Sequence, residues 1–192
     1  MPRAKSITDA ALLDIALEVI RRQGPERFTL ADVSRAASLS PATLIQRFGS
    51  KATMVERALA RNNHQLSETV AAPVTPGPHA RAQLVEWLVQ LAQPLRTRRL
   101  IAAHLPVLRR DLLDPSIRRH ARRHGVLMRE GIGRHLAAID PQCAPATVET
   151  NAALIEAQWH GLVIQWAISG DRSFERWLRH GLQTLLQLVL DR

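Results

Sequence analysis

The stretch TLADVSRAASLSPATLIQRF (Thr29 to Phe48) limits what this chain can fold into more than any other part of it. It holds two helix starts with a sharp stop between them. Thr29 is followed three positions later by Asp32, a capping-box arrangement that opens a helix. Ser-Leu-Ser breaks that helix, and Ser40-Pro41 opens the next, with serine as N-cap and proline as first helical residue. Two helices this short bury little by themselves. Val33, Ala37, Leu39, Leu44 and Phe48 are spaced to pack the pair against a third helix, and the small Ala37 permits close approach. That third helix is predicted over Thr8–Gln23. There Ala11, Leu12, Ile15, Ala16, Val19 and Ile20 recur at helical spacing before Gly24-Pro25 ends the run.

The remainder continues in the same helical idiom. Good helix formers dominate, no alternating strand pattern is sustained, and tyrosine is absent. A fourth helix is predicted from near Ser50 to about Val70. AAPVTPGP (Ala71 to Pro78) follows, with three prolines and a glycine, and no helix survives it. This segment is taken as the domain boundary: residues 1–50 form one domain, 50–70 a connecting helix, and 71–192 a second domain. Helices are expected at 79–93, 96–104, 106–113, 115–138, 145–169 and 173–190, punctuated by Pro94, Pro106, Pro115, Pro141, Pro145 and Gly170. The fold class is all-α.

Helix, tight turn, helix is the arrangement whose second member lies in the major groove of DNA. With Leu44 and Phe48 turned inward, Pro41, Ala42, Thr43, Gln46 and Arg47 are left outside, and no acidic residue adjoins Gln46 and Arg47 in sequence. Arginine pairs with guanine and glutamine with adenine in that groove. Ser40, Thr43 and Lys51 can donate to phosphates, helped by helix N-termini, and Thr29 is counted among the DNA-binding residues. A plain helical hairpin with a solvated polar face fits the same spacing.

The opening segment resembles the DNA-binding domain of TetR-family transcriptional regulators. Helix one ending in RRQG, followed by FTLADVSRAASLSPATLIQRFGSKATMVERAL, carries the likeness over about residues 8–60. AQWHGLVIQWAISGD (Ala157 to Asp171) is similar to the penultimate helix of many members. There are departures: Ser38 stands where glycine is usual, and Ile45 and Arg47 where aromatic residues are usual. The resemblance implies an N-terminal domain on a palindromic operator and a C-terminal domain that dimerises and holds a small effector. It further implies a repressor that leaves its operator when the effector binds.

Residues 145–169 and 173–190 are apolar on two stripes each, so each helix needs cover on two sides. A four-helix interface with a second copy supplies it, through Ile155, Leu162, Trp177, Leu178, Gly181, Leu185 and Leu188. An ordinary buried pair within one chain is the alternative. For the effector, taken to be small and hydrophobic or amphipathic, the candidate pocket residues are Trp87, His104, Met128, Gln158, Trp159, Gln165 and Trp166. For any one of them, simple core packing is the favoured reading.

The net charge of +9 is compatible with nucleic acid, but most of the excess lies in residues 71–145 rather than in the opening segment. His120 and His124 have metal-gripping spacing, yet Arg118, Arg119, Arg122 and Arg123 surround them and oppose a cation, so no metal is expected. Gly131-Ile132-Gly133 lies in a helical stretch, outside the context of a nucleotide loop, and no cofactor is expected. An all-helical enzyme and a protein-binding adaptor are the rival classes, and no enzyme is the reading adopted. Asp9, Asp14 and Glu18 interrupt any signal-peptide core, Cys143 is the single cysteine, and no apolar run spans a membrane. A cytoplasmic protein without membrane association is expected.

Overall fold

The computed structural model describes residues 7–24 and 27–190. Among these residues the regular structure is helical: α1 (Asp9–Gln23), α2 (Leu30–Ala37), α3 (Pro41–Phe48), α4 (Lys51–Ala71), α5 (Ala80–Leu91), α6 (Arg98–Leu113), α7 (Pro115–Ile139), α8 (Pro145–Ser169) and α9 (Phe174–Leu190), with a 3₁₀ turn at Gln93–Leu95. The predicted starts are realised as hydrogen bonds. The Thr8 hydroxyl accepts from Ala11 N–H at 3.2 Å and opens α1. The Thr29 hydroxyl accepts from Asp32 N–H at 3.2 Å, and the Asp32 carboxylate accepts from Thr29 N–H at 2.8 Å. The Ser40 hydroxyl accepts from Thr43 N–H at 3.1 Å.

Helix α2 stops at Ser38, whose backbone is left-handed at φ 54° and ψ 41°. Its N–H reaches back to Arg35 and Ser34 carbonyls. This conformation carries α3 off in a new direction and costs a serine about 1 kcal/mol relative to glycine.

The chain divides into two compact units. The first comprises residues up to Gln65 together with Ala102–Arg122; the second comprises Leu66–Ile101 and the chain from Arg123 onward. Chain order alone put 102–122 in the later domain. Packing groups it otherwise, because Ile117 is buried in the same apolar cluster as Leu12, Phe28, Leu44 and Met54, and Val107 packs against that cluster. Helix α6 is continuous where two helices were predicted at 96–104 and 106–113, and Pro106 lies inside it. A proline removes one amide donor at a cost of about 3 kcal/mol, which packing on its flanks can offset.

The second unit is built on α8, which packs along α9, while α5 also packs against α9. Its core includes Leu84, Leu88, Met128, Ile132, Ile155, Trp159, Leu162, Leu178 and Leu182. The Trp159 indole N–H donates to Leu88 O at 2.9 Å, and the Trp177 indole N–H to Leu162 O at 3.0 Å. No helix among the described residues is long and apolar enough to cross a membrane.

Candidate nucleic-acid interface

Helix α3 is seated by Leu44 and Phe48, which are 0% and 3% exposed, against Val33 of α2, Phe28, and Leu12, Ala16 and Ile20 of α1. Met54, Val55 and Ala58 of α4 complete the cluster. Two inner positions four apart turn the opposite face outward. Pro41, Ala42, Ile45 and Gln46 are exposed there, and Thr43 is half-buried.

Around this core, polar ties hold α1 and α4 in register. The Arg61 guanidinium grips Asp14 with both ends of its fork, Nε to Oδ1 at 2.6 Å and Nη2 to Oδ2 at 2.7 Å. Gln65 Nε2 adds a bond to Asp14 Oδ1 at 2.9 Å. The Arg61 hydrogen bond, foremost, holds the Asp14 carboxyl below its usual range against the opposing effect of burial.

The assigned DNA-facing residues do not all face outward. Arg47 is the main correction. Its Nη2 pairs with the Asp9 carboxylate at 2.7 Å, and its Nη1 donates to Ile7 O at 2.9 Å. The side chain is therefore a tether between α3 and the start of α1, and its fork is occupied inside the protein. The acidic partner stands 38 positions earlier, where inspection of neighbours in sequence does not find it. Thr29 stays exposed, but its hydroxyl donates to Asp32 Oδ2 at 2.7 Å while accepting from Asp32 N–H, so its proton has an internal acceptor. That hydroxyl is the first cause of the lowered Asp32 pKa, followed by the Thr29 backbone N–H.

Ser40 and Thr43 hydroxyls lie 2.8 Å apart and share one hydrogen bond, which leaves one hydroxyl proton directed elsewhere. Lys51 Nζ sits over the Phe28 ring, 4.3 Å from its centroid. Ser50 caps α4 by accepting from Thr53 N–H at 3.1 Å. The outward group thus comprises Ser40, Pro41, Ala42, Gln46 and Ile45, with Lys51 at its edge. Ile45 was not among the assigned residues, although its position one step round from Leu44 already carries it off the inner face.

The sites assigned in the second unit are rearranged as well. Ile155, Leu162 and Leu178 are 0%, 8% and 0% exposed and lie inside the unit's own core. Trp177 and Leu185 pack against it. A Cβ on Gly181 would meet Leu162 Cδ2 at 2.4 Å, so α9 already lies close on α8 within one chain. Ile155, Leu162 and Leu178 are covered without a second copy, whereas Trp177, Gly181 and Leu185 are partly exposed and Leu188 is exposed at 64%. The outward stripe of α8 instead runs through Leu154, Ala157, Gln158, Gly161, Gln165 and Ile168, with Leu154 at 52% and Ile168 at 73% exposure.

Nor do the assigned pocket residues of the second unit converge. Gln158 and Gln165 lie on that outward stripe, whereas Met128 and Trp159 are buried in the core. The Trp166 indole N–H donates to Arg172 O at 2.9 Å, and its ring meets Phe174 edge-on. His104 belongs to the other unit. Trp87 differs from the other tryptophans: its ring packs at Gly131 and beside His135, and its Nε1 is buried without a hydrogen-bond acceptor. Among the described residues, no three His, Cys, Asp or Glu side chains gather as a metal site.

Comparison with known proteins places this geometry. Residues 12–58 match the family of bacterial regulatory proteins of the tetR family. The DNA-binding transcriptional repressor TetR of Mycobacteroides abscessus is 32% identical over 136 residues, which is 71% of this chain and 62% of that protein. The chain thus spans less than two thirds of the length of this curated relative. Among solved structures, a transcriptional regulator from Saccharomonospora viridis in complex with choline superposes with a TM-score of 0.72 at 24% identity, over 92% of this chain and 93% of that one. A TetR transcriptional regulator from Legionella pneumophila superposes with a TM-score of 0.71 at 15% identity, over 96% and 98%. These structures share the fold.

Proposed function

We propose that this chain, a TetR-family regulatory protein by its residues 12–58, is a DNA-binding transcriptional repressor that acts as a homodimer in the cytoplasm and has no enzymatic role. The observation that carries the reading is α3. It is anchored by Leu44 and Phe48 and offers Pro41, Ala42, Ile45 and Gln46 outward on the C-terminal side of the tight turn at Ser38. Gln46 is the hydrogen-bonding base reader, suited to adenine. Ser40, Thr43, Lys51 and the N-termini of α3 and α4 meet phosphates. Arg47 supports the helix from behind.

One such helix per chain reads one half-site, so a two-fold dimer reads a palindrome. The outward stripe of α8 supports the pairing. At its centre a Cβ on Gly161 would meet nothing within 4 Å in the single chain, which leaves room for a partner helix to approach closely. Leu154, Ile168 and Leu188 supply apolar area. The effector is a small amphipathic or hydrophobic molecule held in the second unit near Trp87, whose buried indole N–H calls for an acceptor. Choline, present in one matched structure, is a first compound to test.

The test is retardation of duplex fragments by the purified chain, followed by release with added compounds. A retarded fragment containing an inverted repeat is expected. No retarded duplex at low salt from a genomic library would refute the DNA-binding reading.

A further inference from the structure

We infer that Ile45 is a specificity-determining residue that selects thymine in each half-site by packing against its C5-methyl group; this rests on the reading of α3 as the DNA-facing helix. Among the described residues up to Gln65, Ile45 is the large apolar side chain that stands exposed, at 51%, while Leu44 and Phe48 beside it are buried. It therefore contributes little to the core. As a β-branched residue it is not favoured by the helix either. Its position explains it better than its stability does. Pro41 and Ala42 lie four and three positions before it and are also exposed, so the three form one outward apolar patch. Gln46 flanks that patch.

The tethering of Arg47 to Asp9 and Ile7 O removes the one charged group of α3 from the outward face. What remains is an apolar patch with one amide. Phosphates offer such a patch nothing. In the major groove, the apolar feature that distinguishes one base from the others is the thymine methyl. The patch and that methyl are complementary, and the neighbouring Gln46 amide matches adenine on the same groove floor. The half-site is thus expected to contain adjacent A·T pairs, with the thymine methyl toward Ile45.

The experiment uses the full chain and duplexes selected by it from a random-sequence pool. Each thymine of the selected site is replaced in turn by deoxyuracil, which deletes only the methyl. One thymine per half-site should be sensitive, with affinity falling about fourfold per half-site on loss of one buried methyl. Ile45→Ala should weaken binding to the thymine duplex and should no longer distinguish deoxyuracil from thymine at that position. The side chain is exposed, so circular dichroism and the melting temperature should stay close to those of the parent. If no duplex is selected at all, the DNA-binding reading fails and takes this inference with it. If duplexes are selected but no thymine is sensitive to deoxyuracil, the inference alone is overturned. It is overturned equally if sensitivity survives in Ile45→Ala.

Discussion

Gly131→Ala provides a test of packing in the second unit in which helix propensity and sterics point in opposite directions. Gly131 lies within α7, where alanine is worth about 1 kcal/mol more than glycine. A Cβ there, however, would stand 2.4 Å from Trp87 Cη2 and 2.7 Å from Cζ2, with Val70 Cγ2 at 3.1 Å. Carbon contacts settle at about 3.5–4.0 Å, so the indole must retreat by about 1 Å. That retreat also disturbs the packing of the indole beside the His135 ring, whose centroid is 5.3 Å away. Overpacking of this kind costs about 1–3 kcal/mol, so the net effect is a loss of about 1 kcal/mol. Gly133, two positions on, serves as the control. A Cβ there meets Val148 Cγ1 at an ordinary 3.5 Å, and Gly133→Ala should gain roughly 0.5–1 kcal/mol. The two variants should differ by about 2 kcal/mol, or roughly 4–8 °C in melting temperature for a chain of this size. Thermal unfolding is followed by circular dichroism at one protein concentration, since dimerisation would otherwise shift the midpoint. In a Trp87→Phe background, which trims the indole edge, the Gly131→Ala penalty should shrink. Equal stability of the two glycine variants would refute the steric reasoning.

The remaining predictions concern the tether, pH and the interface. Arg47→Ala should lower stability by about 1–2 kcal/mol, combining a partly exposed ion pair with one hydrogen bond to Ile7 O. It should leave base preference unchanged; urea titrations and a panel of mutated duplexes measure both, and a switch in preferred base would reinstate Arg47 as a reader. Asp14, with its folded-state pKa lowered, stabilises fully above the unfolded carboxylate value, and that contribution disappears as pH falls through the folded value. Asp14→Asn should therefore flatten the acid limb of the stability curve. Burial, foremost, also lowers the pKa of His135, and its Nδ1 lies 2.8 Å from Gly131 O. Here the neutral form is favoured in the fold, so stability is complete above about pH 6.5 and declines as pH falls below it. His135→Gln should reduce that slope without abolishing it, because His120 is shifted the same way by burial. Finally, Leu154→Glu with Ile168→Glu should yield folded monomers in light scattering, whereas Leu178→Glu should unfold the second unit. A double variant that keeps the dimer mass would exclude the α8 stripe as the interface.

Local chemistry was legible in the sequence because its causes lie within four residues. The Thr29–Asp32 box, the Ser40 cap, the Ser38 turn and the inward spacing of Leu44 and Phe48 follow from hydrogen bonds and periodicity that a linear reading contains. They were enough to orient α3. Which of two apolar stripes faces inward was not legible. Helical period shows that α8 has two such faces, but only the positions of α5, α7 and α9 decide that Ile155 and Leu162 are covered and Leu154 and Ile168 are not. The same holds for charge. Arg47 looked unopposed because its partner Asp9 is distant in sequence and is brought beside it by the packing of α1 on the short helices. It holds for grouping as well, since Ile117 and Val107 join the N-terminal cluster through apolar contacts made far along the chain. The sequence alone determined where helices begin and end around the turn. The tertiary structure decided which of their faces are left to bind, because burial depends on what the fold sets opposite each residue.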